Sequence, residues 1–243
     1  MTYTVEKLNA KAFTERLNTA VITGPLRVTP PPYRQSTGWR SSSLAGCLRM
    51  VGYRLLGAAQ THDTYNPDWT LSADIGTTIH TRIQEQLVTS GMAVTINGTP
   101  AIEVELTGAP FSGHIDAVIR TKQGTIAVFD IKSGAPREFA PGYRYLADKQ
   151  QKWAVQLSSY MAYFSLPGGE RATEAYVLHI NRGDTSDRNL FRIPWQPERF
   201  AADFARLSTA QTMVKSGELP PAEPGACRFC AFRGHCEAND YAG

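Results

Sequence analysis

The sequence predicts an α/β fold in which helices flank a mixed central β-sheet. Apolar residues recur with helical spacing over Leu44–Ala59 and Leu71–Ser90, so two helices come first. Short runs with strand-like alternation then fill Ala93–Lys132, and another helical pattern follows at Lys149–Phe164. Two more strands and a final helix complete the order, which is typical of a sheet packed between layers of helices.

The residues before the first helix are predicted to form an arm outside the domain. Residues 1–40 are assigned to an N-terminal arm and linker, because Gly24–Arg40 contains four prolines, and residues 41–243 are assigned to one domain. Ser41–Ser43 is expected to cap the first helix. Thr61–Asp68, rich in Asp, Asn and Pro, is the expected loop to the second helix.

The remaining elements supply the sheet and its last helix. The final helix, Gln196–Ser216, carries Pro197 in its first turn, where proline is favoured. The predicted strands lie near Ala93–Asn97, Ala101–Leu106, Gly113–Arg120, Thr125–Lys132, Ala172–Ile180 and Arg188–Ile193.

One predicted hairpin places two carboxylates side by side. With Gln123 at the tip of its turn, Asp116 lies directly opposite Asp130. Opposed side chains are roughly 5 Å apart on one face of the sheet, so two carboxylates there repel unless a cation lies between them. Lys132 shares that face because side chains alternate along a strand. The polar end of an otherwise apolar strand therefore predicts the cleft of a metal-dependent phosphodiesterase, although a lone D-x-K would be common on a surface strand.

The residue types define the expected roles. We interpret Asp116 and Asp130 as oxygen ligands of Mg²⁺ or Mn²⁺, with the backbone carbonyl of Ile131 as a further ligand. Lys132 would stabilise negative charge developing on the phosphate or help to deprotonate the attacking water, and the sequence leaves both roles open.

Composition restricts the function classes. The formal charge of +3 excludes a general polycation, so DNA binding must use a local surface. Basic residues between Arg137 and Lys152 lie near Tyr143, Tyr145 and Trp153, which fits either a solvated face or a single-stranded DNA track. No apolar run approaches the roughly 20 residues of a membrane span, and no signal peptide is recognisable, so a cytoplasmic location is expected.

The four cysteines form a second candidate site. Cys227, Cys230 and Cys236 lie in the Pro-rich tail, whereas Cys47 lies far upstream on the first predicted helix. Four thiolates make a complete ligand set for an iron–sulfur cluster or for zinc. We favour a [4Fe–4S] cluster, because a zinc ribbon normally uses two local pairs. Free thiols, or zinc bound by the tail with His235, are the alternatives. The metal would fasten the tail to the first helix.

Six motifs in order resemble the PD-(D/E)XK nuclease superfamily, and within it the RecB-like exonucleases with an iron–sulfur cluster. These include the CRISPR-associated exonuclease, the AddB nuclease domain and phage-encoded relatives. The resemblance spans about Ser41 to Cys236. Its motifs are Cys47, Gly76-Thr77-Thr78-Ile79-His80, Gly113-His114-Ile115-Asp116, Asp130-Ile131-Lys132, Gln156-Leu157-Ser158-Ser159-Tyr160, and the triplet Cys227, Cys230 and Cys236.

The resemblance implies a restriction-endonuclease-like core and a metal-dependent exonuclease that acts on single-stranded DNA or DNA ends. It implies that His80 is a metal ligand and that Gln156 and Tyr160 contact DNA or brace Lys132. It also implies a protein partner in recombination or CRISPR adaptation. A structure-specific endonuclease, and a non-catalytic protein that binds DNA ends or serves in an assembly, remain as alternatives. The absence of a G-x-x-x-x-G-K-S/T motif indicates a stand-alone nuclease or a subunit rather than a motor.

Overall fold

The computed structural model describes residues 2–18, 38–61, 67–223, 227 and 230–236. Most of the predicted linker Gly24–Arg40 and part of the predicted loop Thr61–Asp68 lie outside these ranges.

Within the described ranges, a mixed sheet of six strands forms the centre of the molecule, in the spatial order β1, β8, β7, β6, β5, β4. Strands β6 and β7 run parallel, and the other neighbouring strands are antiparallel. The predicted fold class is therefore confirmed. The strands are Glu6–Leu8 (β1), Ile102–Glu105 (β4), His114–Arg120 (β5), Ile126–Gly134 (β6), Glu174–Asn181 (β7) and Arg188–Pro194 (β8), and a separate hairpin joins Thr95–Ile96 (β2) to Thr99–Pro100 (β3).

Helices cover both faces of this sheet. Lys11–Asn18 (α1) and Pro67–Thr89 (α3) lie on one face, where Ile83 packs with Phe129 and Ile131 of β6. Leu146–Tyr163 (α4) lies on the other face with Leu48–Leu55 (α2) and Pro197–Lys215 (α5), and there Leu157 packs with Val128. Burial of the apolar run of β6 on both sides explains why this strand reads as almost wholly apolar until Asp130.

The β5–β6 register matches the predicted hairpin. Ala117 pairs with Phe129 and Arg120 pairs with Ile126, which makes Asp116 and Asp130 the next opposed positions beyond the paired residues. Alternation then puts Asp130 and Lys132 on the α4 face of β6, together with Val128.

Two segments differ from their predicted structures. Residues 2–18, assigned to an arm, contain β1 and α1, and β1 extends the sheet by pairing with β8. Ser41–Ser43 forms a short 3₁₀ turn without a side-chain cap, and α2 starts only after Cys47. The Ser41 hydroxyl does not cap a helix, because it donates to the hydroxyl of Tyr160 on α4.

The C-terminal tail lies along α2. Gly52 is required at this crossing, because a β-carbon there would lie 2.7 Å from Cδ of Pro220. Farther on, the Phe232 ring stacks on Tyr53 with 5.4 Å between ring centroids, and the Thr61 amide donates to the Ala231 carbonyl over 2.9 Å. No helix within the described ranges combines the length and apolar character that a membrane span requires.

Candidate active site

The candidate site lies where the β5–β6 ladder ends. There the Ile131 amide donates to Oδ2 of Asp116 over 2.7 Å, so a carboxylate takes the place of a strand partner. This bond fixes the Asp116 side chain beside the backbone of the Asp130-Ile131-Lys132 segment.

Lys132 is held between an acid and an amide. Its Nζ lies 2.8 Å from Oδ2 and 3.1 Å from Oδ1 of Asp130, and 3.3 Å from Oε1 of Gln156 on α4. Burial lowers the pKa of Lys132, but the nearby carboxylates of Asp130 and Asp116 more than offset this, so the pKa is above its ordinary value. The ammonium form is therefore the one that the site favours.

A chain of hydrogen bonds braces Gln156 from behind. Its amide nitrogen donates to the Tyr160 hydroxyl over 2.8 Å, and the same hydroxyl accepts from Oγ of Ser41 over 3.1 Å. Burial raises the pKa of Tyr160 to about 12, so the phenol stays neutral. Steric crowding explains why the G-x-x-D motif has glycine at position 113. A β-carbon on Gly113 would lie 2.7 Å from Oγ of Ser41.

Helix α3 brings His80 to the acidic side of the site. Its Nδ1 lies 3.4 Å from Oδ2 of Asp116, and the ring is also a hydrogen-bond partner of the Ile131 backbone. Burial lowers the pKa of His80, which favours the neutral imidazole that binds metal ions.

Glu103 also belongs to this cluster, although no sequence pattern predicted it. One ligand atom each from His80, Glu103 and Asp116 lie within 4.8 Å of one another, and no other such group of three occurs in the described part of the chain. Glu103 lies on β4 opposite Asp116 with a φ of 50°, a left-handed conformation that strand alternation does not predict.

Asp116 is the partly buried carboxyl group at the centre of the cluster. Burial raises the pKa of Asp116 well above its ordinary value, and the neighbouring carboxylates of Asp130 and Glu103 raise it further. A cation bound at this point would relieve both effects. A pocket of about 310 Å³ opens beside the cluster, lined by Ala73, Gly76, Thr77, His80, Thr81, Gln84 and Glu103.

The predicted DNA-contacting aromatic residues separate into two groups. Trp153 is buried against His179 and Phe191, so it is a core residue and is not available to stack on bases. Tyr145 is 47 % exposed, and the Arg144 guanidinium lies 4.7 Å from its ring centroid.

The four cysteines converge at the end of the molecule where the tail meets α2. Burial raises the pKa of the Cys230 thiol, and the charges of Cys47, Cys236 and Cys227 raise it further. Among the described residues, no three of these sulfur atoms lie within 4.8 Å of one another. All four are free thiols that are partly exposed. Arg206 of α5 fixes the approach to Cys47 by donating to the carbonyls of Leu44 and Gly46, each over 2.5 Å.

Comparisons with known proteins identify the family. No curated protein gives a match. The crystal structure of SSO0001 is similar over 94 % of this chain and 96 % of its own, with 16 % sequence identity and a TM-score of 0.48. The family model of the PD-(D/E)XK nuclease superfamily matches residues 92–237, more than half of the chain. The aligned segment contains Asp116, Asp130, Lys132, Gln156 and the cysteine triplet. This chain belongs to the PD-(D/E)XK nuclease superfamily.

Proposed function

We propose that this protein is a Mg²⁺- or Mn²⁺-dependent DNA exonuclease of the RecB-like type, acting on single strands or DNA ends. The observation that supports this most directly is the meeting of Asp116, Asp130, Lys132 and His80 where β5 and β6 separate. Membership of the superfamily supports metal-dependent nuclease chemistry, and the resemblance to RecB-like enzymes supports the choice of substrate.

The donors of the site suit a divalent ion. Carboxylate oxygens of Asp116 and Asp130, the Ile131 carbonyl and the His80 imidazole are ligand types that Mg²⁺ and Mn²⁺ accept. Burial and the neighbouring carboxylates raise the pKa of Asp116, and a bound cation would stabilise the ionised form of this carboxyl group. When bound, the ion supplies Lewis acidity toward the scissile phosphate and the attacking water.

The protein groups have complementary tasks. The ammonium group of Lys132 forms an ion pair with Asp130, so we assign Lys132 to electrostatic stabilisation of the phosphate charge. Gln156 and Tyr160 hold the ammonium group in position. Tyr145 and Arg144 offer an exposed stacking surface for an unpaired base.

The cysteine site fits a [4Fe–4S] cluster held by Cys47, Cys227, Cys230 and Cys236. Four neighbouring thiols, one of them destabilised as a thiolate by the other three, form an all-sulfur donor set that a cationic metal centre would stabilise. The Arg206 guanidinium beside Cys47 would offset part of the remaining negative charge.

A Lys132→Gln variant tests the catalytic assignment. Removing the ammonium group should lower the rate of Mn²⁺-dependent cleavage of labelled single-stranded DNA by about 100-fold or more, since it removes charge stabilisation in the transition state. Linear and circular single strands, assayed in parallel, distinguish an exonuclease from an endonuclease, because an exonuclease leaves the circle intact.

The matched control is Lys122→Gln, which removes an exposed lysine from the β5–β6 turn and should leave the rate unchanged. Lys132→Arg keeps a positive charge beside the buried Asp130. Comparison with Lys132→Gln therefore shows whether loss of folding explains any effect on the rate. Equal activity of folded Lys132→Gln and wild-type protein would rule out the assignment, and an inactive wild-type protein that still binds DNA ends would favour the non-catalytic alternative.

A further inference from the structure

We infer that Glu103 is a ligand of the active-site ion and that Gln84 is the residue that positions it. This inference rests on the proposed function, because it concerns the same ion. It assigns roles to two side chains outside the motif set described above.

Glu103 lies next to the two other candidate ligands of the ion. Its carboxylate is close enough to the Asp116 carboxylate and the His80 imidazole for one ion to contact all three, and it lines the pocket beside α3. Strand β4 pairs with β5, so Glu103 approaches Asp116 from the side opposite to β6 and Lys132. The Asp130 carboxylate, by contrast, is paired with Lys132.

The backbone of Glu103 adopts a left-handed conformation. A φ of 50° is uncommon for a glutamate, and it interrupts β4 at the position opposite Asp116. Non-glycine residues held in the left-handed region concentrate at functional sites, where surrounding contacts enforce them. The left-handed conformation therefore fits a side chain that points toward His80 and Asp116, instead of following the usual alternation of side chains along a strand.

A hydrogen bond from Gln84 holds the Glu103 side chain in place. Gln84 is only 2 % exposed, and its Nε2 donates both to Oε1 of Glu103 over 2.6 Å and to the Asp116 carbonyl over 3.1 Å. Both partners are acceptors, so the amide nitrogen must face them. Gln84 lies one helical turn after His80, and α3 therefore carries one ligand and the clamp for another.

Mn²⁺ binding tests the assignment without reference to catalysis. Glu103→Gln keeps the size of the side chain and an acceptor for Gln84 but removes the charge, and we expect about 100-fold weaker Mn²⁺ binding by titration calorimetry and by the electron paramagnetic resonance signal of free Mn²⁺. Gln84→Met should weaken Mn²⁺ binding by about 10-fold, as is usual for residues that orient metal ligands.

Glu105→Gln is the matched control, since it removes an exposed carboxylate two residues farther along β4 and should not change Mn²⁺ affinity. Gln84→Met should also need more Mn²⁺ for half-maximal nuclease activity while reaching nearly the wild-type rate at saturation. Unchanged Mn²⁺ affinity in folded Gln84→Met would overturn the positioning role.

Glu103→Gly separates the ligand from its backbone strain. It should lose Mn²⁺ affinity like Glu103→Gln, yet have the higher melting temperature of the two in the presence of a chelator, because glycine adopts a positive φ without strain. If wild-type protein cleaves DNA and Glu103→Gln binds Mn²⁺ equally well, this inference is wrong and the proposed function stands. If wild-type protein does not cleave DNA, the Mn²⁺ titrations still decide the role of Glu103.

Discussion

His179 lies beside Lys132, on the neighbouring parallel strand. It pairs in register with Lys132, is 1 % exposed, and stacks on Phe139 with 4.3 Å between ring centroids. Its Nε2 is 3.3 Å from Oε2 of Glu138, which also binds Lys149 over 2.6 Å. Burial lowers the pKa of His179 despite the carboxylate of Glu138, so the ring is neutral at pH 7.

This histidine should make the protein sensitive to acid. In the unfolded chain a histidine has a pKa near 6.5, so below that pH the unfolded state binds a proton that the folded state resists, and stability falls as the pH decreases. His179→Gln should therefore reduce the loss of unfolding free energy between pH 7.5 and 5.5 by about 1 kcal/mol, measured by urea denaturation. His114→Gln, at an exposed position of β5, serves as the control. Identical pH dependence of His179→Gln and wild-type protein would contradict the prediction.

At this scale, sequence patterns identified residues whose partners lie nearby along the chain. Asp116, Asp130 and Lys132 follow from one hairpin and strand alternation, and the register on which they depend is confirmed. Glu103 was missed because its left-handed backbone breaks the alternation that the prediction assumed. Trp153 was misplaced because a helix next to a basic segment does not reveal which of its faces is buried.

The 3₁₀ turn Ser41–Ser43 connects the two candidate sites. At one end the Ser41 hydroxyl donates to Tyr160, which holds Gln156 and through it Lys132. At the other end the chain continues through Leu44 and Gly46, whose carbonyls are fixed by Arg206, to Cys47. Serines before an apolar stripe normally predict a helix cap, but here tertiary contacts with α4 replace that local role.

Ser41→Ala should impair catalysis through Lys132 rather than through DNA binding. Loss of one hydrogen bond worth about 1 kcal/mol corresponds to a roughly five-fold lower kcat. The KM for single-stranded DNA should stay unchanged, since Ser41 does not face the pocket beside α3. Ser42→Ala, at the exposed neighbouring position, should have no effect on either constant. A change in KM alone would show that the turn acts on the substrate instead.

Across the whole molecule, protein contacts fasten the tail to α2 and to the residues that follow it. The sequence predicted that a metal would fasten the tail, but it did not predict the burial of Phe232, which is 2 % exposed, or the hydrogen bond of 2.7 Å from the Tyr53 hydroxyl to the His235 carbonyl. Such contacts between distant segments are not visible as periodicity, whereas the sheet and its helices are. The class of fold was therefore predictable, but the packing of the tail and of β1 was not.

Because of these contacts, we expect the tail to stay docked even when the proposed cluster is lost. Anaerobically purified protein should contain iron and sulfide, Cys230→Ser should lose them, and yet its residues 231–236 should stay protected from hydrogen exchange. Phe232→Ala should lose that protection, because truncating a buried phenylalanine costs about 3 kcal/mol. Equal loss of protection in Cys230→Ser would show that the metal is the main fastener, and a colourless, iron-free wild-type protein would exclude the cluster.

The pairing of β1 with β8 also governs when the molecule can be completed during its synthesis. Strand β1 can pair only after β8 has been made, and the nearby hydroxyl of Tyr3 donates to Asp203 across 200 positions of sequence. Strand β7, which lies beside β6, is synthesised after Asp116, Asp130 and Lys132, and contacts of such long range make folding slow. The candidate site therefore becomes fully enclosed only late in translation, after β7 and β8 have been made.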